Sequence, residues 1–197
     1  FEELGGEARM NCSVRRITAS NGRVTGVITE EDQEIRADWI VSNADPFATC
    51  RDMIGREYVP SSFFTRLQSS EVAASTINVY LGVARSASDL GFSEHEIFVN
   101  AGYDADRQYA LMKIIAPPEA IAATCYNVVH PEISPPGTSI VVLTALAFGE
   151  PWTQVPPSEY VATKNRMADA MIDMAEQIVS GLRKYAEVVE VSTPLTN

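Results

Sequence analysis

The stretch from Met10 to Pro46 constrains the fold most, because it is a series of short β-strand patterns joined by tight turns. Asn21-Gly22 is a strong hairpin signal, since both residue types tolerate positive φ. Apolar and polar residues largely alternate along the returning strand, and Glu30-Glu31-Asp32 forms a charged tip. The pattern predicts antiparallel strands that end on a compact, buried apolar strand at Trp39-Ile40-Val41.

Helix and strand patterns are mixed after Pro46. Helical spacing is found at 47–55, from 60 or 61 to 68, at 103–114 and, over the longest stretch, at 158–185. Strand patterns occupy 73–84, 96–100, 121–129, 138–148 and 187–192. The predicted fold class is therefore α+β. We expect a boundary near Asp45, with a β-meander in residues 1–45 and a mixed sheet-and-helix domain, carrying one long C-terminal helix, in residues 46–197.

Composition narrows the classes of partner. The chain has 197 residues, a net charge of −11 and a hydrophobic content of 46%, which is enough for a packed core. Its 15 lysines and arginines are spread along the sequence rather than clustered. Because phosphate contacts need clustered positive charge, we expect no nucleic-acid partner.

Cysteine and histidine usage argues against a metal site. Cys12, Cys50 and Cys125 are far apart and form no CxxC pair, which favours a reducing, cytoplasmic location. The two histidines, His95 and His130, lack the spacing of HxH or HExxH motifs, so no metal ligands are predicted. No apolar run approaches the ~18 residues of a membrane span; peripheral membrane contact stays open.

The two ends of the sequence look cut. The start, FEELGG, resembles the last turn of a helix stopped by Gly5, and the end is a strand that leads into an unfinished loop. We expect an interior fragment of a longer protein that is inactive by itself. Apolar surface left uncovered by missing parts would favour self-association.

Three motifs occur in order along the sequence. The first comprises Gly5-Gly6, Val14, Ile17, Gly22-Arg23-Val24, Gly26-Val27, Ile35, Ala37-Asp38 and Ile40 through Pro46. The second, P-x-x-x-P-P-G-T-S, begins at Pro131 and lies between two predicted strands, and the third is Thr193-Pro194-Leu195-Thr196. Together they resemble, in the same order, the motifs of a known family: the phytoene desaturase and retinol saturase relatives within the amine-oxidase-like flavoproteins, whose last motif is T-P-x-T.

The resemblance implies FAD as cofactor. It places Val14 against the adenine end of FAD and Ser42, Asn43 and Ala44 near the edge of the flavin domain, although Val14 also suits a plain core position. The family's G-x-G-x-x-G fingerprint, whose glycines let the backbone approach the pyrophosphate, does not occur in this sequence. The main FAD-binding elements are thus expected outside the chain.

The resemblance also implies a substrate domain whose floor is the strand at 73–84. Asn78 and Tyr80 alternate with apolar residues there, so they are candidates for the substrate cavity, with an exposed sheet face as the other interpretation. Trp152 could stack on a ligand but is expected to pack against its own domain, and Asp104 and Arg107 are interpreted as surface charge. No catalytic residue is identified.

Three functions stay open at this point. The first is the substrate-domain segment of an FAD-dependent oxidoreductase that acts on carbon–carbon bonds of an apolar, polyene or carotenoid-like substrate. The second is a segment of a flavin-dependent amine oxidase. The third is a non-catalytic lipid-binding or interaction module.

Overall fold

The structure is a computed structural model, and it describes residues 2–196. The chain divides into two compact units, the first ending at Glu71 and the second beginning at Val72. Both contain helices and antiparallel strands, which confirms the α+β class. The predicted boundary near Asp45 divides the chain by role, with residues 1–45 expected to contact the cofactor and residues 46–197 the substrate. That division stays a prediction.

The first unit is built on a three-stranded antiparallel sheet, β1 (Val14–Ser20), β2 (Arg23–Thr29) and β3 (Glu34–Arg36). Asn21 and Gly22 form the predicted turn between β1 and β2, with φ angles of 52° and 74°. The charged tip lies between β2 and β3, where Asp32 has a φ of 63°. The unit also has a π-helical segment (Ala48–Met53), helix α1 (Ser61–Gln68) and two 3-10 helices, Glu2–Leu4 and Arg56–Tyr58.

The predicted buried strand at 39–41 is wrong. This segment pairs with no strand among residues 2–196, and Trp39 and Val41 are 88% and 97% exposed. An apolar, β-branched composition favours an extended backbone, but a strand forms only where a neighbour accepts its backbone hydrogen bonds. Here the described chain supplies no such neighbour.

The second unit is a five-stranded antiparallel sheet in the order β5-β6-β7-β4-β8. The long strands β4 and β7 pair over their whole length, with Val79 opposite Leu143. The five strands are β4 (Ser75–Val83), β5 (Glu96–Asn100), β6 (Ala120–Cys125), β7 (Ser139–Ala147) and β8 (Ala186–Ser192).

Four further helices belong to the second unit, and one of them covers a face of the sheet. This is α4 (Pro157–Ala175), whose Met167 and Met171 are buried in the core with Val79 and Leu143. The predicted helix 158–185 is too long, because α4 ends at Ala175 and Gly181, with a φ of 90°, precedes a separate short helix. The other helices are α2 (Ala105–Met112), α3 (Glu150–Thr153) and α5 (Leu182–Tyr185).

Alternation along β4 separates a buried face from an open one. Odd-numbered residues from Ile77 to Val83 lie in the core, and the even-numbered residues Asn78 and Tyr80 lie on the opposite face. The same holds for β7, where Leu143 is buried and Leu146 is exposed. Among residues 2–196, no helix has the length and apolarity to cross a membrane.

Close packing at Gly26 offers a test of the first sheet. A methyl group added there would lie 2.3 Å from the carbonyl oxygen of Ile35 in β3, and that backbone can move only by disturbing the ladder. We expect Gly26→Ala to lower the free energy of unfolding of the first unit by about 1–3 kcal/mol. Amide hydrogen exchange over residues 23–36, followed by mass spectrometry, should become faster.

The matched control is Gly102→Ala, because nothing lies within 4 Å of a methyl group added at that position. This variant should exchange at the rate of the unsubstituted chain. Unchanged protection of residues 23–36 in Gly26→Ala would contradict the observed β2–β3 pairing.

Candidate functional site

An apolar cavity of about 280 Å³ lies at one end of the sheet in the second unit. Its walls come from strands β4 to β7, from α2 with the segment that follows it, and from α3 and α4. Fifteen of its nineteen lining residues are apolar. They are Ile77, Phe98, Leu111, Met112, Ile114, Ile115, Ala116, Pro118, Ala120, Ile121, Ala122, Leu146, Ala147, Trp152 and Met167.

Local interactions hold α2 at the edge of this cavity. The Asp104 side chain caps the helix by accepting a 2.9 Å hydrogen bond from the backbone N–H of Arg107, a common way to satisfy a free N-terminal donor. At the other end, the backbone N–H of Phe148 donates to the carbonyl oxygen of Met112 at 2.8 Å. The rings of Tyr109 and Phe148 meet edge to face, with centroids 5.8 Å apart.

The deep side of the cavity is formed by the core. Trp152 is only 1% exposed and packs edge to face on Tyr160, as expected of a tryptophan that packs on its own domain. It also lines the cavity with Ile121 and Met167. Phe98 and Ile114 are more than half exposed, so the cavity opens to the surface on their side.

The polar side of the cavity includes Glu119, which forms an ion pair with Arg107 behind the lining. Arg107 donates to Glu119 through Nη2, at 2.6 Å, and through Nε, at 2.9 Å to each carboxylate oxygen. These hydrogen bonds, with the guanidinium charge, hold the pKa of Glu119 below its usual value and raise the pKa of Arg107. The other polar lining residues are Asn100, Gln108 and Thr144.

The structure places the predicted cavity residues Asn78 and Tyr80 outside this lining. Asn78 lies one hydrogen bond behind it, because its Oδ1 accepts from Thr144 Oγ1 at 2.9 Å. Its Nδ2 donates to Thr76 of the same strand and to Ser192 of β8. The amide therefore links β4 with β7 and β8 on the open face. Tyr80 lies on the same face and is partly exposed. Their contact with a substrate stays a prediction.

The predicted FAD-contacting residues lie in the first unit. Val14 begins β1 opposite Thr29 and is half-buried. Ser42 Oγ lies 2.8 Å from Thr49 Oγ1 and accepts from the backbone N–H of Ala44 at 3.3 Å. Asn43 and Ala44 are exposed. Contact of these residues with FAD stays a prediction, and they do not form a Gly-rich loop of the kind that holds a pyrophosphate.

Other kinds of site receive little support. Within residues 2–196, no three His, Cys, Asp or Glu side chains come together as metal ligands. Burial raises the pKa of the Cys125 thiol, which keeps it protonated and therefore poorly nucleophilic.

Several curated proteins similar to this chain are carotenoid enzymes. The lycopene-forming phytoene desaturase of Paracoccus sp. is 24% identical over 98% of this chain and 38% of its own length. The chloroplastic prolycopene isomerase of Arabidopsis thaliana is 23% identical over 99% of this chain and 32% of its own length. The chain thus spans about a third of the length of these relatives.

The chain is thus similar to phytoene desaturases and related carotenoid enzymes. This confirms the resemblance seen in the sequence motifs. Among solved structures, an oxidoreductase from Methanosarcina mazei has the same fold, with a TM-score of 0.54 at 16% identity over 96% of this chain and 39% of that protein. No family model matches the chain.

Sequence reasoning missed most of the cavity. One sequence signal could have revealed the cavity. Near the end of α2 and just after it, four apolar residues lie close together beside an exposed helix face: Leu111, Met112, Ile114 and Ile115. Arg107 and Glu119 are twelve residues apart, and only folding brings them together. The interpretation of Arg107 as surface charge left its partner unidentified.

The ion pair predicts a pH dependence. The pKa of Glu119 is lower in the folded chain than its ordinary value of 4.5, so the pair stabilises the fold above that pH. This contribution is lost as the pH falls through the folded-state pKa. We expect Arg107→Gln to raise the pKa of Glu119 in a ¹³C NMR titration of its side-chain carboxyl and to remove this part of the acid-induced loss of stability.

Arg166→Gln is the matched control, because it removes the same charge from an exposed position of α4. It should leave the Glu119 titration where it is. An identical Glu119 midpoint in Arg107→Gln and the unsubstituted chain would contradict the ion pair.

Proposed function

We propose that this chain is the substrate-domain segment of an FAD-dependent oxidoreductase that acts on carbon–carbon bonds of an apolar, polyene-like substrate. The observation that carries the proposal is the largely apolar cavity beside an open sheet face, in a relative of carotenoid desaturases and isomerases. Every square ångström of apolar surface removed from water favours binding by about 25 cal/mol. A hydrocarbon chain would gain that energy here without a specific polar partner.

The size of the cavity indicates how a long substrate would fit. Small-molecule pockets usually have volumes of about 300–1,000 Å³, and the cavity, at about 280 Å³, lies just below that range. It would therefore take one end of a polyene. The remainder would lie along the open face, past Leu146 and toward Tyr80.

The chemistry would be divided between the cofactor and this chain. FAD, when bound, supplies the electron acceptance or donation that carbon–carbon bond chemistry requires. The residues of this chain would bind the apolar end, exclude water through Trp152, Met167 and Ile121, and set the depth at which the substrate stops. Ser42, Asn43 and Ala44 would contact the cofactor edge, and Val14 its adenine end.

The proposed setting is the cytoplasmic side of a membrane. A polyene has little solubility in water, so it would be exchanged with a lipid surface. The partly exposed Tyr109 and the exposed Ile114, next to the cavity, would face that surface in peripheral contact.

The direct test uses the complete product of the gene that encodes this chain. The purified protein should show a flavin absorbance spectrum and should change the visible absorbance of phytoene or of a cis-carotenoid. Release of peroxide from amines, without any effect on polyenes, would favour the amine oxidase function instead. Binding of polyenes without flavin would favour a lipid-binding module.

The cavity itself is tested by filling it. Ala122 lines it from β6, on the face that pairs with Phe98 and Thr144, so Ala122→Phe would place a ring at its mouth. We expect at least a fivefold weaker binding of β-carotene, measured by the shift of its visible spectrum. Thr124→Phe, two residues along the same strand and face but outside the lining, is the control. Equal weakening by both variants would contradict the proposed substrate cavity.

A further inference from the structure

We propose that the polar wall of the cavity, formed by Asn100, Gln108 and Glu119, recognises a hydroxyl group at the end of an apolar ligand. The inference rests on the proposed function, since it assumes that the cavity binds an apolar molecule. It adds the chemical class of that molecule's end group.

The three residues are brought to one place because α2 lies in the connection between the paired strands β5 and β6. Asn100 ends β5 opposite Ala120, and Glu119 precedes Ala120. The backbone N–H of Ala101 donates to the carbonyl oxygen of Glu119 at 2.8 Å, which holds the two strands together at this end. Gln108 follows Arg107 in α2, and Arg107 binds the Glu119 carboxylate.

Two neutral side chains in this wall have unused hydrogen-bonding capacity. Gln108 donates from Nε2 to the carbonyl oxygen of Gly102 at 2.9 Å, which leaves its Oε1 without a partner within the described chain. The Asn100 side chain likewise makes no hydrogen bond to any of residues 2–196 and remains exposed toward the cavity mouth. A carboxamide supplies both donors and an acceptor, as a hydroxyl group requires.

The ion pair makes the wall selective against charged end groups. Glu119 is occupied by three hydrogen bonds from Arg107, so an ammonium group would have to displace the guanidinium. A carboxylate would face the Glu119 oxygens, and like charges repel. A neutral hydroxyl avoids both costs while it uses the free groups of Asn100 and Gln108.

Trp152 provides a reporter for binding, because it lines the cavity. The chain has two tryptophans, and the other is the exposed Trp39 of the first unit. Trp39→Phe would therefore leave Trp152 as the single tryptophan. The probes are four ligands with the same ten-carbon chain: 1-decanol, its methyl ether, decanoate and decylamine.

We expect 1-decanol to bind about three- to tenfold more tightly than its methyl ether, which corresponds to the net value of one hydrogen bond. Decanoate and decylamine should bind more weakly than 1-decanol. Asn100→Leu keeps the side-chain size and should reduce the preference for 1-decanol over the ether to less than twofold. Asn165→Leu, an exposed position on α4 outside this cavity, should leave the preference unchanged.

A second substitution tests the role of the ion pair. Glu119→Gln leaves Arg107 without its carboxylate partner beside the polar wall. We expect decanoate to gain at least threefold in affinity while 1-decanol changes less than twofold.

Failure of this inference and failure of the proposed function give different results. Equal binding of 1-decanol and its ether to the Trp39→Phe protein would overturn hydroxyl recognition and leave an apolar cavity. Unchanged Trp152 fluorescence with all four probes would overturn ligand binding at this cavity altogether. Because the comparison of probes uses a protein with only an exposed tryptophan replaced, it does not depend on the folding of the wall variants.

Discussion

Full-length antiparallel pairing of β4 with β7 is the interaction on which the second unit depends. It places Ile77, Val79, Leu81 and Val83 on the face that α4 covers. The same register puts Asn78 beside Thr144 on the other face, where Thr144 borders the cavity. A shift by one residue would exchange the two faces, because side chains alternate with a period of two. The core and the open face are thus consequences of one register.

Local sequence patterns predicted those features that are set by residues adjacent in the sequence. The Asn21-Gly22 turn and the alternation from Ser75 to Val83 both follow from neighbouring residues, and both are observed. The strand at Trp39-Ile40-Val41 fails for the opposite reason, since strand formation needs a second segment to accept its hydrogen bonds. The long helix was overextended because apolar spacing continues past Ala175 while the backbone turns at Gly181.

The cavity could be predicted only in part, because its walls come from separate regions of the chain. Ile77, Trp152 and Met167 are far apart in sequence and meet only through the sheet and α4. The sequence did indicate that Trp152 packs on its own domain, and it does, while also lining the cavity. The family resemblance directed attention to Asn78 and Tyr80, neither of which lines the cavity, although Asn78 is hydrogen-bonded to the lining residue Thr144.

The Arg107–Glu119 ion pair ties α2 to the residue that precedes β6, and Glu119 itself belongs to the polar wall of the cavity. The Arg107 side chain is 62% exposed and that of Glu119 is 27% exposed, so dissolved ions reach the pair. Salt weakens such interactions over a distance of roughly 10 Å at 0.1 M. A rise in ionic strength should therefore weaken the attachment of α2, the helix that forms one wall of the cavity.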